Sequence, residues 1–264
     1  MPAERRAHLL WAHLISRSGI QISTESLTAV RKCTSTWSTQ LNKVIFRNYS
    51  KVELISTNAS DLQVARAAWV STVGEDAREK ENGRVEGLIN FLWRERHTSP
   101  FEHGSWTFFV NTPIFVAREA MRHRTGAYNE WSGRYSDLKP EFYLPSAERP
   151  LRQVGKVGQY TFEPGTNDQY AILQTHFRGV CQRAWDGYVA MKDAGIANEV
   201  ARDILPVGIF TTYYVTMNTR NLMHFLDLRT APNALKEIRD VAGMMEAHFK
   251  REMPLTHKAW KDNQ

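Results

Sequence analysis

The chain has 264 residues and a formal net charge of +6, with 42% hydrophobic and 23% charged residues, the balance of a folded globular protein. That balance excludes wholesale disorder and collagen-like sequence, and no apolar run approaches the ~18 residues a membrane-spanning helix requires. Two cysteines, Cys33 and Cys181, are too few for a disulfide framework and sit in no metal-ligand spacing, so a reduced, cytoplasmic setting is expected.

The charge is uneven along the chain. Residues 1–50 hold seven Lys/Arg against two acids, while residues 51–264 hold the other 27 against 26. The first fifty residues, basic and rich in Ser and Thr, read as an N-terminal extension. A mobile arm, an organellar presequence and a wrongly chosen start are the three readings of it. Residues 51–264 read as a single α+β domain.

Lys51 to Thr57 alternates and predicts a strand. A helix starts at Asp61, a charged loop covers 73–83, and Val85, Leu88, Ile89 and Leu92 mark a helix ending near Arg96. Ser105 to Thr112 reads as an aromatic strand. Thr112 as cap and Pro113 as first residue then predict a helix running to about Arg122. Gly126 and Gly133 bracket a loop, and 137–166 reads as a surface excursion. A long helix capped by Asn167 or Asp168 is expected to bury Ile172, Leu173, Phe177, Val180, Cys181, Trp185 and Tyr188. A short helix ends before Pro206, Val207 to Met217 reads as a strand, and helices follow over 218–229 and 234–251.

The stretch Arg118 to Ser136 concentrates chemistry. Arg118 and Arg122 share a helix face, Arg122, His123 and Arg124 crowd its end, and Arg134 follows. Cations at a helix C-terminus complement its dipole, which accounts for one or two of these charges. The whole set, beside Asn129, Glu130, Ser132 and two glycines, suits a phosphorylated ligand as well as a structural charge cluster. His97 and His103 flank Pro100 at a spacing that makes a poor metal site. Ser132 has no hydrolase-type elbow, and no Rossmann or P-loop glycine pattern is present. The basic arm leaves a nucleic-acid-binding protein as the alternative class.

Arg122-His123-Arg124, seven residues, then Ser132 resembles the RHRx7S signature of the flavin-dependent thymidylate synthases of the ThyX type. The flanks PIFVAR and YNEWSGRYS are similar to that family too. So are HTSPFEH (His97 to His103), ARDILP (Ala201 to Pro206), the NTRNLMHFLDLR run from Asn218 to Arg229, and RAAWVS from Arg66 to Ser71. The resemblance spans about residues 51–255, in order.

It implies the mixed antiparallel sheet with long helices of the thymidylate-synthase-complementing-protein fold, a homotetramer, and active sites between subunits. It implies FAD, with NADPH and methylenetetrahydrofolate as co-substrates, converting dUMP to dTMP. The flavin contacts it implies are Ser71, His97, Ser99, Arg122, His123 and Arg124, together with Asn129, Glu130, Asn218, Arg220, His224 and Arg229. The dUMP contacts it implies are Glu119, Arg122, Glu130, Ser132, Gly133, Arg134, Arg202 and Arg229. Arg202, Ser132, Arg122 and His97 are the implied catalytic residues. Arg202 would stabilise negative charge on the pyrimidine, Arg134 and Gly133 would hold the nucleotide phosphate, and Ser132 would orient the nucleotide. An inactive relative of the family is the other alternative, because Glu119 stands where Gln is common and Ala127 where Ser is common. A carboxylate at 119 would repel phosphate unless paired. Cys181, on the apolar stripe of a helix, is expected in the core rather than as a nucleophile.

Overall fold

The computed structural model describes residues 43–80, 84–156 and 159–264. The extension as far as residue 42, with Cys33, lies outside the described residues. Residues 43–264 form one compact unit. Its first strand, β1 (Ile45–Arg47), comes from the stretch that the sequence grouped with the extension.

Strands β2 (Lys51–Thr57), β3 (Ser105–Pro113), β8 (Phe210–Asn218) and β4 (Ala127–Glu130) make an antiparallel sheet in the order β2-β3-β8-β4. β1 pairs in parallel with β5 (Glu141–Tyr143), and β6 (Arg152–Lys156) and β7 (Gln159–Glu163) form an exposed hairpin. Helices α1 (Asp61–Val73), α2 (Val85–Arg94), α3 (Ile114–Ala120), α4 (Asn167–Asp193) and α5 (Asn198–Ala201) precede the last strand. After it come α6 (Thr219–Arg229), α7 (Lys236–Glu252) and α8 (Pro254–Lys261).

Alternation along β3 and β8 decides which face is covered. Trp106, Phe108, Val110, Tyr213, Val215 and Met217 point to one face and pack with α3, α6 and α7 in the main core. Thr107, Phe109, Thr212, Tyr214 and Thr216 point to the other, where Phe109 meets Tyr214 edge-on and the Thr107 and Thr216 hydroxyls are 2.9 Å apart. Half-covered antiparallel sheets show this alternation. A second cluster joins Val44, Phe142, Ile209 and Ala201 to Cys181, Trp185 and Tyr188 of α4.

Several expectations are corrected. The helix expected from Pro113 begins one residue later, at Ile114: β3 continues through Pro113, registered against Phe210, and Pro113 occupies the N-cap position of α3. Ladder pairing with β8, extended by Ile114 N–H donating to the Ile209 carbonyl at 2.9 Å, outweighs the local cap signal. α3 ends at Ala120, so Arg122 lies beyond the helix. The expected glycine-bracketed loop contains β4, and the loop over 73–83 contains a 3-10 turn, Gly74–Arg78, with residues 81–83 outside the described set. The 137–166 excursion contributes fully buried Phe142 to the core. Thr166, not Asn167 or Asp168, caps α4 through a capping box with Gln169. On α4 Ile172, Phe177 and Val180 are exposed, whereas Cys181, Trp185 and Tyr188 are buried. α8 lies beyond the expected helices, with Pro254 at its first turn as a start signal.

Candidate functional site

Three groups of the expected residues form around α6 and β4. The first sits where the end of α3 meets the last turn of α6. Arg229 Nη1 donates to Glu119 Oε2 at 2.8 Å, Nη2 to the Glu119 carbonyl at 3.0 Å, and Nε to His123 Nε2 at 3.0 Å. His123 is 9% exposed, lies edge-on to Phe225, and has the exposed His224 ring 6.0 Å away. Burial first, then the Arg229 guanidinium, lowers His123 from 6.5 to about 4, so it is neutral at pH 7. The Glu119 carboxylate is thus paired rather than facing outward alone. Tyr128 Oη donates to the Ala120 carbonyl at 2.8 Å and fixes the end of α3 against β4.

Arg122 and Arg124 flank His123 on successive turns, held by His123 N–H to the Ala120 carbonyl and Gly126 N–H to the His123 carbonyl, both 3.1 Å. Both arginines are exposed, and among the described residues their side chains have no hydrogen-bond or ion-pair partner.

The second group follows β4. Asn129 points to the uncovered sheet face, and Glu130 accepts from the Thr211 hydroxyl at 2.7 Å. Trp131 N–H continues the ladder onto the Thr212 carbonyl at 2.8 Å, and its indole bonds the Ser136 hydroxyl. Ser132 Oγ accepts from Arg134 N–H at 3.2 Å, and Gly133 between them is buried. Arg134 Nε donates to Glu199 Oε2 at 3.0 Å, which ties this turn to α5. Arg202, the residue after α5, is half-buried with no side-chain partner among the described residues.

The third group lies at the other end of α6. Asn218 caps the helix by accepting from Asn221 N–H at 2.9 Å, and Arg220 pairs with Glu102. Glu102 closes a 3-10 turn that begins at Ser99, after exposed His97, whose ring meets Phe91 edge-on. Ser71 is exposed on α1 and donates to the Ala68 carbonyl at 2.8 Å. Among the described residues no side-chain hydrogen bond or ion pair joins Ser71, His97 or Ser99 to the His123 group. The first and third groups sit at opposite ends of an eleven-residue helix, about 16 Å apart.

Sequence reasoning missed Glu199 and Thr211 as partners of site residues. Neither lies in a motif, and only the folded chain brings them to Arg134 and Glu130. Cys181 is 4% exposed, and burial pushes its thiol up to about 11, away from the thiolate a nucleophile needs.

The model of the family described as thymidylate synthase complementing protein matches residues 53–255. The chain belongs to this family. Flavin-dependent thymidylate synthases from Streptomyces coelicolor and Tropheryma whipplei are 47% and 45% identical to it over 232 and 226 residues, covering 84% and 82% of this chain and 94% of each relative. The Thermus thermophilus relative is 40% identical over 218 residues, 80% of this chain and 76% of its own. A solved UMP/dUMP methylase, PolB from Streptomyces cacaoi, bound with 5-Br dUMP, superposes with a TM-score of 0.78 at 43% identity. It covers 83% of this chain and 97% of its own. Family membership agrees with the expected fold: an antiparallel sheet with long helices.

Proposed function

We infer that the chain is a flavin-dependent thymidylate synthase, methylating dUMP to dTMP with methylenetetrahydrofolate as carbon donor. The observation that carries this reading is the exposed turn presenting Arg122 and Arg124 without partners among the described residues, separated by seven residues from the Ser132–Arg134 turn. Unpaired guanidinium forks suit phosphate oxygens. They fit FAD and a nucleotide alike, because each brings an anionic group and the body around them is nearly charge-balanced.

Bound flavin supplies hydride chemistry that no side chain carries. The chain's own residues do the rest. Arg122 and Arg124 hold phosphate oxygens. Arg134, handed over from Glu199, and the backbone at Gly133 hold the nucleotide phosphate, and Ser132 orients it. Arg202 points no charge at a protein partner and so remains available to stabilise negative charge on the pyrimidine ring as C5 becomes nucleophilic. His123, neutral at pH 7, takes part as a hydrogen-bonding ring rather than a cation. His97, Ser99, Ser71, Asn218, Arg220 and His224 complete the flavin contacts, and Asn129 and Glu130 line the site from β4.

NADPH is the proposed reductant. A homotetramer is proposed with its sites between copies. The 16 Å separation of the two groups along α6 supports this, because a second chain can complete each group. The cytoplasm is the proposed compartment, in keeping with the free, buried Cys181.

The deciding experiment measures tritium release from 5-tritiated dUMP with FAD, NADPH and methylenetetrahydrofolate, with UMP run beside it. Release that requires all three supports the reading. A purified chain that neither binds FAD nor releases tritium refutes it.

A further inference from the structure

Arg229 is held on three edges, and Glu119 holds two of them. Its carboxylate takes Nη1 at 2.8 Å and its backbone carbonyl takes Nη2 at 3.0 Å. Only then does Nε point at His123 Nε2, 3.0 Å away. A nitrogen that accepts carries no proton, so the neutral ring keeps its proton on Nδ1. A protonated ring would set N–H against N–H.

We propose that Glu119 is a positioning residue: it clamps Arg229 in the orientation that keeps His123 as the neutral Nδ1–H tautomer. The proposal rests on the function above for what the site binds, but the clamp exists in the chain without any ligand.

The surroundings agree. The pair is partly shielded, with Arg229 17% and Glu119 42% exposed in their side chains, so the guanidinium is not freely solvated. The charged and titratable groups acting on His123 are Arg229 and His224 from α6 and Glu119 from α3. Arg229 and His224 disfavour a proton on the ring, Glu119 favours one, and Arg229 outweighs Glu119. The clamp therefore uses an acid to hold a cation against a base, and the net effect is a neutral base. Of the five guanidinium N–H groups, two remain for a ligand, one on each Nη. Their direction is set by Glu119 as well.

Nitrogen-15 histidine NMR on the full, ligand-free chain tests this, with the ring assigned through His123→Gln. In the wild type at pH 7, His123 should show the Nδ1–H tautomer. Glu119→Gln retains an acceptor for Nη1 and should keep that tautomer. Glu119→Leu keeps the backbone bond to Nη2 but removes the carboxylate from Nη1, so it should loosen Arg229, give mixed tautomers and raise the His123 midpoint as the guanidinium swings from the ring. Arg229→Lys, which cannot serve three acceptors in one plane, should do the same even if Glu119→Leu fails to fold. In turnover, Glu119→Leu should lower kcat and shift the pH profile, with Glu119→Gln restoring both. An unchanged tautomer and midpoint in Glu119→Leu and Arg229→Lys overturns the proposal. So does a defect confined to KM for the nucleotide, which marks direct contact instead. Absence of thymidylate synthesis in the wild type would sink the proposed function and leave the NMR result standing.

Discussion

Arg134 Nε lies 3.0 Å from Glu199 Oε2, and both side chains are about half exposed, at 52% and 53%. Exposed pairs of this kind contribute only ~0–1 kcal/mol. A phosphate dianion can therefore take the guanidinium from Glu199 with little cost. Arg134→Ala should raise KM for dUMP roughly 10- to 100-fold, the loss of one charge-assisted bond, with a smaller effect on kcat. Steady-state kinetics check it. An unchanged KM would remove Arg134 from phosphate binding.

Arg202 has no side-chain partner among the described residues and stands one helical turn after Glu199. Its role at the pyrimidine predicts that Arg202→Ala retains flavin absorbance while kcat falls about 10²- to 10³-fold. Comparison of flavin content and turnover on the same preparation decides it. Retained turnover refutes the role.

His123 makes stability depend on pH. Its folded value, about 4, lies below the unfolded 6.5, so the unfolded chain binds the proton first on acidification. The stabilisation is fully present above about pH 6.5 and is lost as pH falls toward 4, amounting to ~2–3 kcal/mol. Melting temperatures of the wild type and His123→Gln, taken from pH 7 to 4.5, should converge as the pH drops. Parallel curves would rule this out.

Gly104 has no room for a side chain. A Cβ there would sit 2.6 Å from the Ala59 Cβ and 2.8 Å from the Ala59 Cα, against backbone that cannot turn aside. The Gly104 carbonyl also accepts from Thr219 N–H at the start of α6. Gly104→Ala should cost ~1–3 kcal/mol in denaturant unfolding.

Cys181 should be dispensable for chemistry. Cys181→Ala is expected to keep turnover within about twofold while losing ~1 kcal/mol of stability from the small cavity it leaves. In a Cys33→Ser background the Cys181 thiol, buried in the folded chain, should react with iodoacetamide only on unfolding. Rapid alkylation that stops turnover would contradict this.

How much of this was legible beforehand differs by element. β2, β3, α2 and α6 follow from residues that both alternate or repeat and lie in or against the core, so local pattern and tertiary packing agree. β4 did not, because Ala127 to Glu130 is short and flanked by glycine; only its ladder to Thr216–Tyr213 makes it a strand. The start of α3 was misplaced because Thr112 is buried in the ladder rather than free to cap. The apolar spacing of α4 predicts core along the whole face, yet Ile172 is 60% exposed, since hydrophobic spacing reports a face but not what covers it. The arginines of the site were visible as residue types in order. Their partners were not: Glu199 and Thr211 acquire meaning only from distances across the fold.

The spacing in Arg122-His123-Arg124 to Ser132 has a geometric origin in β4. The seven residues between comprise the turn at 125 and 126, four residues of strand, and Trp131 still bonded to Thr212. A pleated strand is a two-step ratchet. Removing or adding one residue there would send Tyr128 out of the core and rotate every following side chain to the opposite face. The interval is therefore set in parity as well as in length: an insertion of two residues keeps the facing and lengthens the reach by about 7 Å, while an insertion of one disarms both turns at once.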